Sequence, residues 1–273
     1  MVRVNEIEAR NYVTKSKLPG TDYVINPYVG CPHKCIYCYA EFMKKFSNHQ
    51  EEWGDFLDVK RCTTPIKVDK LTGKSIVISS VTDPYNPYEK RYMITRSILE
   101  QLAETDADIG IITKSHLVVR DVDILKKLSN CHVAMSMCST DEAFRAEVEP
   151  FASSYENRVK ALKRLHDEGI RTVLFMSPIF PGITDFVEII DRTRDYVDSY
   201  WFENLKLKAC CRYRVRNYIR KRHRMLEPLY QDIYDLKDFG YWSGLKEQIE
   251  TYCVENSIDY RLYFGDDVKE IDC

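Results

Sequence analysis

Short apolar runs and amphipathic stretches alternate along the chain from residue 22 to residue 207. The apolar runs predict six strands, and most of them precede a stretch whose apolar residues recur with helical spacing. The predicted strands are 22–27, 75–80, 108–113, 132–137, 171–176 and 200–207. The predicted helices are 93–104, 118–129, 155–168 and 185–197, and residues 36–47 also have helical character.

Strands that alternate with helices of this kind predict a parallel sheet. Six such units favour an α/β fold, a partial (β/α)6 TIM-like barrel, in which ligands bind at the carboxyl ends of the strands. We therefore divide the chain into an N-terminal surface segment (1–21), the partial barrel (22–207) and a C-terminal extension (208–273). The extension is predicted to contain a basic helix near 213–226, a second helix near 244–255 and an additional edge strand at 258–264.

Composition narrows the class of protein. The 273 residues are 44% hydrophobic and 30% charged, which is typical of one large folded domain, and the net charge of −2 gives no overall preference for nucleic acid. No apolar stretch approaches the ~20 residues of a membrane span, and the N-terminus lacks the apolar core of a secretory signal. We expect a soluble cytoplasmic protein that does not bind membranes. Its ten cysteines then indicate metal or redox chemistry, because a reducing compartment disfavours disulfides.

Three of these cysteines lie close together directly after the first predicted barrel strand. Cys31, Cys35 and Cys38 have C-x3-C-x2-C spacing. Each thiolate can bind one iron of a [4Fe–4S] cluster, so that the fourth iron has no protein ligand and can chelate a small molecule. The alternative is a zinc-stabilised binding module with His33 as a fourth ligand. Zinc sites usually have two separated ligand pairs, so the compact spacing favours the cluster.

Further motifs follow in order along residues 22–207 and carry a family resemblance. They lie at 26–31, 35–40, 81–87, 112–115, 149–150 and 178–182. Together they resemble the radical S-adenosylmethionine (SAM) superfamily, in particular the branch that includes spore photoproduct lyase. Within that branch the chain is similar to the family called radical SAM mobile pair protein B.

The resemblance implies an enzyme that cleaves SAM reductively at a [4Fe–4S] cluster to a 5′-deoxyadenosyl radical, which abstracts hydrogen from a substrate. It also implies an electron donor such as a flavodoxin or ferredoxin. The mobile-pair proteins are encoded beside a second radical SAM protein, which is therefore an expected partner.

The resemblance also assigns roles to individual residues. Cys31, Cys35 and Cys38 would bind the cluster, and Tyr37 would lie against the adenine of SAM. Thr82 and Asp83 would bind the amino group of its methionine part, a pairing that suits an ammonium-like group. Lys114 would bind the cofactor carboxylate. Ser136 resembles a cofactor-binding serine, and strand alternation places it on the opposite face from Met135 and Met137.

Cys138 is a candidate catalytic residue that the resemblance does not supply. Photoproduct lyases have a hydrogen-donor cysteine shortly before the aspartate that Asp83 resembles, whereas this chain has Ser-Ser-Val at 79–81. That difference argues against lesion repair, and Cys138 could provide the thiol from another strand. The alternative is a small buried apolar residue. Tyr85 and Glu203 are further residues that we place at the cavity.

The segment 206–224, here called the basic segment, has no acidic residue. Its nine basic residues are Lys206, Lys208, Arg212, Arg214, Arg216, Arg220, Lys221, Arg222 and Arg224. Arginine forks bind phosphates and the interleaved Tyr213 and Tyr218 could stack on bases, so the segment predicts a nucleic-acid partner. The alternatives are a solvated helix face or a docking face for an acidic protein. Cys210, Cys211, Cys253 and Cys273 lack paired spacing and do not predict a second cluster.

The substrate class stays open at this point. The first hypothesis is a radical SAM enzyme that acts on nucleic acid or a nucleotide, and the second is one that modifies a peptide or protein. A third is a non-catalytic iron–sulfur protein that binds nucleic acid and senses redox state. Such a sensor needs the three cysteines but not Asp83, Lys114 or Ser136.

Overall fold

The fold is known from a computed structural model that describes residues 1–265. The strands are β1 (Arg3–Glu8), β2 (Val13–Lys15), β3 (Tyr23–Ile25), β4 (Tyr28–Val29), β5 (Phe56–Arg61), β6 (Ser75–Ile78), β7 (Asp108–Thr113), β8 (Asn130–Ser136), β9 (Arg171–Ile179), β10 (Ser199–Asn204) and β11 (Tyr260–Leu262). The α-helices are α1 (Glu89–Tyr92), α2 (Ile94–Leu102), α3 (Val122–Leu125), α4 (Glu142–Val148), α5 (Tyr155–Asp167), α6 (Phe186–Asp191), α7 (Ala209–Arg222), α8 (Glu227–Tyr234) and α9 (Gly240–Glu255). Short 3-10 helices lie at Tyr39–Phe46, Val68–Lys70, His116–Asp121, Arg194–Tyr196 and Arg224–Leu226.

The main sheet of the described chain has eight strands in the order β2-β3-β6-β7-β8-β9-β10-β11. β2 is antiparallel to β3, and every other neighbouring pair is parallel. The sheet does not close on itself, which confirms the predicted partial barrel. β11 pairs with β10, so the predicted edge strand also exists.

Several elements differ from the prediction. The predicted surface segment 1–21 contains β1 and β2, and the region 48–74, which gave no regular pattern, contains β5. β1, β5 and β4 form a separate small sheet, in which β1 runs parallel to β5. These strands are short and pair with partners distant in sequence, so local pattern gives little sign of them. Helix 118–129 is instead a 3-10 turn followed by α3, and the predicted extension includes residues 266–273, with Cys273, which lie outside the described residues.

The two faces of the main sheet have different surroundings. On β9 and β10, Leu174, Met176 and Phe202 belong to the large core that includes residues of the flanking helices. The alternate residues Val173 and Trp201 belong to a separate small apolar cluster with Ala134, Ile112 and Phe175. We call this second face the inner face, since it corresponds to the interior of a closed barrel. None of the helices within residues 1–265 has the length and apolar composition needed to span a membrane.

Candidate active site

The three clustered cysteines lie on a tight loop, residues 30–38, which we call the cysteine loop. It follows β4 and ends where the 3-10 helix Tyr39–Phe46 begins. Gly30 has a φ of 88°, and a Cβ at this position would lie 2.4 Å from the carbonyl oxygen of Phe56, so only glycine fits. Cys31, Cys35 and Cys38 are free thiols. Burial raises the pKa of each thiol, that of Cys35 to about 12, and the neighbouring cysteines also raise the pKa of Cys31.

Hydrogen bonds from distant parts of the chain hold the cysteine loop in place. They are Thr82 Oγ1 to the Gly30 carbonyl (2.7 Å), Trp53 Nε1 to Cys38 Sγ (3.3 Å), Ile36 N to the Val148 carbonyl (3.0 Å), Phe151 N to the His33 carbonyl (3.3 Å) and Arg214 Nε to the Ile36 carbonyl (3.2 Å). The loop is therefore held by the segment after β6, the segment before β5, the carboxyl end of α4 with the residues that follow it, and the helix α7. Thr82, a predicted SAM ligand, uses its hydroxyl for one of these bonds.

Asp83 is buried at the junction of β6 and β7, and its carboxylate already accepts several bonds. Oδ1 accepts from the Thr113 hydroxyl (2.7 Å) and the Tyr85 amide (2.9 Å), and Oδ2 accepts from the Lys114 amide (2.8 Å). His33 Nδ1 lies 3.4 Å from Oδ2, so this histidine faces Asp83. Asp83 thus connects two strand ends to the cysteine loop. Its predicted contact with the amino group of SAM stays a prediction.

Lys114 projects from the end of β7 beside the cysteine loop. Its ammonium lies 5.7 Å from the centre of the Tyr37 ring and has no hydrogen-bond or ion-pair partner among the described residues. Burial alone would lower the pKa of Lys114, but the negative charges of Cys35 and Glu149 raise it. The side chain is therefore a cation with capacity for an anionic ligand, as its predicted role requires.

A buried carboxylate at Glu149 joins three functional groups. Glu149 accepts hydrogen bonds from the Tyr37 hydroxyl and from the Arg158 guanidinium, and the Cys138 thiol donates to it at 3.6 Å. Arg158 also donates to the backbone carbonyl of Ser136 at 2.9 Å. Glu149, Arg158 and Cys138 have no exposed surface. This group, the Glu149 cluster, connects the cysteine loop to the end of β8.

The charges of the Glu149 cluster are balanced internally. Burial alone would raise the pKa of Glu149, but Arg158, Lys114 and the hydrogen bond from Tyr37 lower it below its ordinary value. The structure thus keeps an ionised carboxylate inside the protein beside the loop. The sequence motif at 149–150 contains Glu149 but indicates no role for it, and no motif contains Arg158. Arg158 lies on a helix rich in charged residues, so only its tertiary position reveals its importance.

The alternation of side chains along a strand applies to Ser136 but not to Cys138, which lies beyond the end of β8. Ser136 is the last residue of β8, is 1% exposed and pairs with Phe175 of β9. Cys138 follows the strand, and its thiol packs in the large core against the Glu149 cluster. Tyr85 and Glu203 are the two further residues that the sequence placed at the cavity. Tyr85 is fully buried, whereas Glu203 is partly exposed.

Internal ion pairs neutralise much of the basic segment. Five of its nine basic side chains pair with carboxylates: Lys206 with Glu203, Arg212 and Arg216 with Asp235, Arg214 with Glu41, and Arg222 with Glu147. The exposed residues Arg220, Lys221 and Arg224 have no carboxylate partner among the described residues. The available positive charge is therefore concentrated around the carboxyl end of α7.

Comparison with known proteins identifies the class. The Radical SAM superfamily model matches residues 25–193, which include the cysteine loop and the strands β6 to β9 of the main sheet. The chain therefore belongs to the radical SAM superfamily and is a radical SAM enzyme. Membership implies that it binds SAM and an iron–sulfur cluster and that it needs a reductant.

Individual relatives place the chain within this class. An uncharacterized protein of Methanocaldococcus jannaschii is 39% identical over 208 residues, which are 76% of this chain and 80% of the relative. A radical SAM Nα-GlyT isomerase of Pseudomonas phage M6 is 23% identical over 174 residues, 60% of this chain and 34% of the isomerase.

Solved structures share the fold. Spore photoproduct lyase complexed with dinucleoside spore photoproduct matches with a TM-score of 0.59 and 15% identity, over 78% of this chain and 65% of the lyase chain. SuiB of Streptococcus suis bound to SAM matches with a TM-score of 0.57 and 15% identity, over 92% of this chain and 52% of SuiB. The chain thus spans less than two thirds of either structure.

The cysteine loop fits the group that the family implies. Three free thiols within one loop are the soft donors that iron–sulfur clusters require. Among the described residues, no three Cys, His, Asp or Glu side chains are grouped to hold a single metal ion. A multi-iron cluster does not need such a grouping, since each thiolate can bind a different iron.

Proposed function

We propose that the chain is a radical SAM enzyme that binds a [4Fe–4S] cluster at Cys31, Cys35 and Cys38. The observation that carries the proposal is the cysteine loop, which is held beside a partly buried cation, Lys114, that has no ion-pair partner among the described residues. When bound, the cluster and SAM supply a 5′-deoxyadenosyl radical, which abstracts hydrogen from the substrate. A flavodoxin or ferredoxin is the proposed electron donor.

The chain's own residues bind and orient the cofactor in this proposal. Lys114 pairs with the carboxylate of SAM, because its ammonium is otherwise unpaired. Tyr37 orients the cofactor with its ring, whose position the bond to Glu149 fixes. Ser136 lines the same wall, and Thr82 and Asp83 position the cysteine loop while they bind the amino group.

Cys138 is proposed as the hydrogen donor to a substrate radical. Its thiol is buried, donates to Glu149 and lies in the group that includes Tyr37. Burial raises the pKa of Cys138 well above its ordinary value, so the residue retains its S–H hydrogen. Hydrogen-atom transfer needs the thiol form, which this environment favours.

We propose nucleic acid or a nucleotide as the substrate. The exposed cations at the end of α7 support this class, and the dinucleoside ligand of the structurally similar lyase is in keeping with it. Modification of a peptide or protein is the other class. A second radical SAM protein is a proposed partner, for which the basic segment offers a surface.

Cofactor turnover tests the proposed function. Anaerobically reconstituted protein should be brown, contain about four irons per chain and convert SAM to 5′-deoxyadenosine and methionine when dithionite is added. Chromatography of the products with iron and sulfide assays measures both. A colourless protein with stoichiometric zinc, or a loaded cluster that leaves SAM intact, would overturn the proposal.

Replacement of Asp83 by alanine should weaken both SAM binding and the fold. The carboxylate accepts two buried hydrogen bonds and one partly buried one, so its loss should cost about 1–3 kcal/mol of unfolding free energy. Asp123→Ala is the matched control, because Asp123 is an exposed carboxylate of α3 that pairs with Arg96 and not with the cysteine loop. Urea denaturation and calorimetric titration of the loaded protein with SAM measure the two effects. Unchanged SAM affinity in Asp83→Ala would show that the predicted contact is absent.

Replacement of Arg220, Lys221 and Arg224 by glutamine should flatten the salt dependence of nucleic-acid binding. Each phosphate contact contributes about 0.7–0.9 to the slope of log K against log salt, so the slope should fall by roughly 2. Fluorescence anisotropy with single-stranded DNA over a salt series measures it. The control is the substitution of Lys160, Lys163 and Arg164, exposed cations of α5, by glutamine. Equal slopes in the two variants would favour protein docking at the basic segment.

A further inference from the structure

The inner face of β9–β11 has polar and aromatic side chains that the proposed cofactor contacts do not use. Strand register aligns Ser136, Phe175, Trp201 and Arg261 across four neighbouring strands. Because directly paired residues of parallel strands project from the same face, this row continues the proposed cofactor wall toward the sheet edge. The row therefore lies where a substrate could reach a SAM-derived radical.

Aromatic rings form the floor of this region. The Trp201 ring centre lies 5.8 Å from that of Phe175 and 5.6 Å from that of Tyr263, and Phe175 and Tyr263 are 5.7 Å apart. Tyr263 is 38% exposed and Phe175 is partly exposed, so the floor is open on one side. Trp201 is 9% exposed, and its buried Nε1 has no hydrogen-bond partner in the described chain. A buried donor without a protein partner needs an acceptor, which an ordered water or a ligand atom can supply.

Hydrogen-bonding groups border the aromatic floor at the strand ends. The Ser177 hydroxyl donates to Glu203 Oε2 at 2.6 Å, and Lys206 Nζ donates to Oε1 at 3.0 Å. The Glu203 side chain remains 28% exposed, so its carboxylate can still accept from a ligand. On the other side, the exposed Arg261 guanidinium lies 5.4 Å from the centre of the Trp201 ring and forms no ion pair with a described carboxylate.

We propose that this surface is a nucleobase-binding subsite for the substrate. Planar bases stack on aromatic rings, a carboxylate accepts from their exocyclic amino groups, and a guanidinium stacked on an aromatic ring pairs with the adjoining phosphate. Phe175 and Tyr263 supply the stacking surface, Glu203 reads the amino group, and Arg261 binds the phosphate. The inference rests on the proposed function and specifies the substrate class within it.

Binding of DNA hexanucleotides tests the subsite. The probes are labelled dA6, dC6, dG6 and dT6, measured by fluorescence anisotropy with the cluster-loaded protein at low salt. The bases A, C and G have exocyclic amino groups and T has none, so wild type should bind dT6 least tightly. Tyr263→Ala should weaken binding of all four probes roughly 5- to 150-fold, the range for loss of a stacking partner. Glu203→Gln should abolish the preference against dT6, because an amide both accepts and donates.

Two control variants separate a binding role from a structural one. Phe239→Ala removes a ring whose exposed fraction, 37%, is similar to the 38% of Tyr263, and Glu250→Gln removes a carboxylate on α9. Both should bind the probes as wild type does. No hexanucleotide binding, or a Tyr263→Ala variant that binds like wild type, would overturn the subsite. The proposed function itself fails only if wild type does not cleave SAM, so the two failures are distinguishable.

Discussion

Replacement of Cys35 by alanine is expected to abolish both the iron content and the cleavage of SAM. The cluster depends on three thiolates of one loop, and loss of the central ligand leaves two, which do not hold a cube. The variant should lose the brown colour, retain less than about a tenth of the wild-type iron and produce no 5′-deoxyadenosine. Iron and sulfide assays, the visible spectrum and product chromatography measure these effects.

The matched control is Cys131→Ala, because Cys131 is a partly buried free thiol of β8 outside the cysteine loop. This variant should keep its iron and its cofactor cleavage. If Cys35→Ala kept a full complement of iron while Cys131→Ala lost it, the assignment of the ligands would be wrong. Equal iron loss in both would indicate that the cysteines act through folding alone.

The periodicity of the chain was sufficient to predict every strand of the main sheet except β2. The six apolar runs form strands because each is buried, with alternate side chains toward the helices and toward the inner face. For β7, the first and the last residue were both predicted correctly. The small sheet escaped prediction because β1 is a polar strand at the surface that pairs with a partner some 50 residues later. Pairing over such a distance leaves little local signal in a short strand.

The candidate site was predictable only where a motif carried it. The spacing of Cys31, Cys35 and Cys38 indicated the cysteine loop, and the ends of β6 and β7 indicated Asp83 and Lys114. The bonds from Trp53 and Arg214 to the loop depend on tertiary packing, which one sequence does not disclose. The basic segment shows the converse, since its sequence suggested a continuous cationic surface whereas the fold pairs most of the charges internally.

Replacement of Arg158 by methionine should destabilise the protein strongly, because it leaves Glu149 charged and buried without its main partner. Both side chains have no exposed surface, and loss of one member of such a pair costs about 3–5 kcal/mol. Arg158 also donates to the carbonyls of Ser136 and Ser153, each at 2.9 Å, and these acceptors would lose their partner. Anaerobic urea denaturation measures the loss of unfolding free energy.

Two further variants show whether the effect belongs to the ion pair. Arg164→Met on the same helix removes an exposed arginine that pairs with Glu168, and it should cost less than about 1 kcal/mol. The double variant Glu149→Gln/Arg158→Met removes both charges and should recover part of the lost stability, since no buried charge then remains uncompensated. A double variant less stable than Arg158→Met would contradict this account. Because Glu149 also holds the Tyr37 hydroxyl, recovery of stability without recovery of SAM binding would assign Glu149 to the orientation of Tyr37 as well as to the fold.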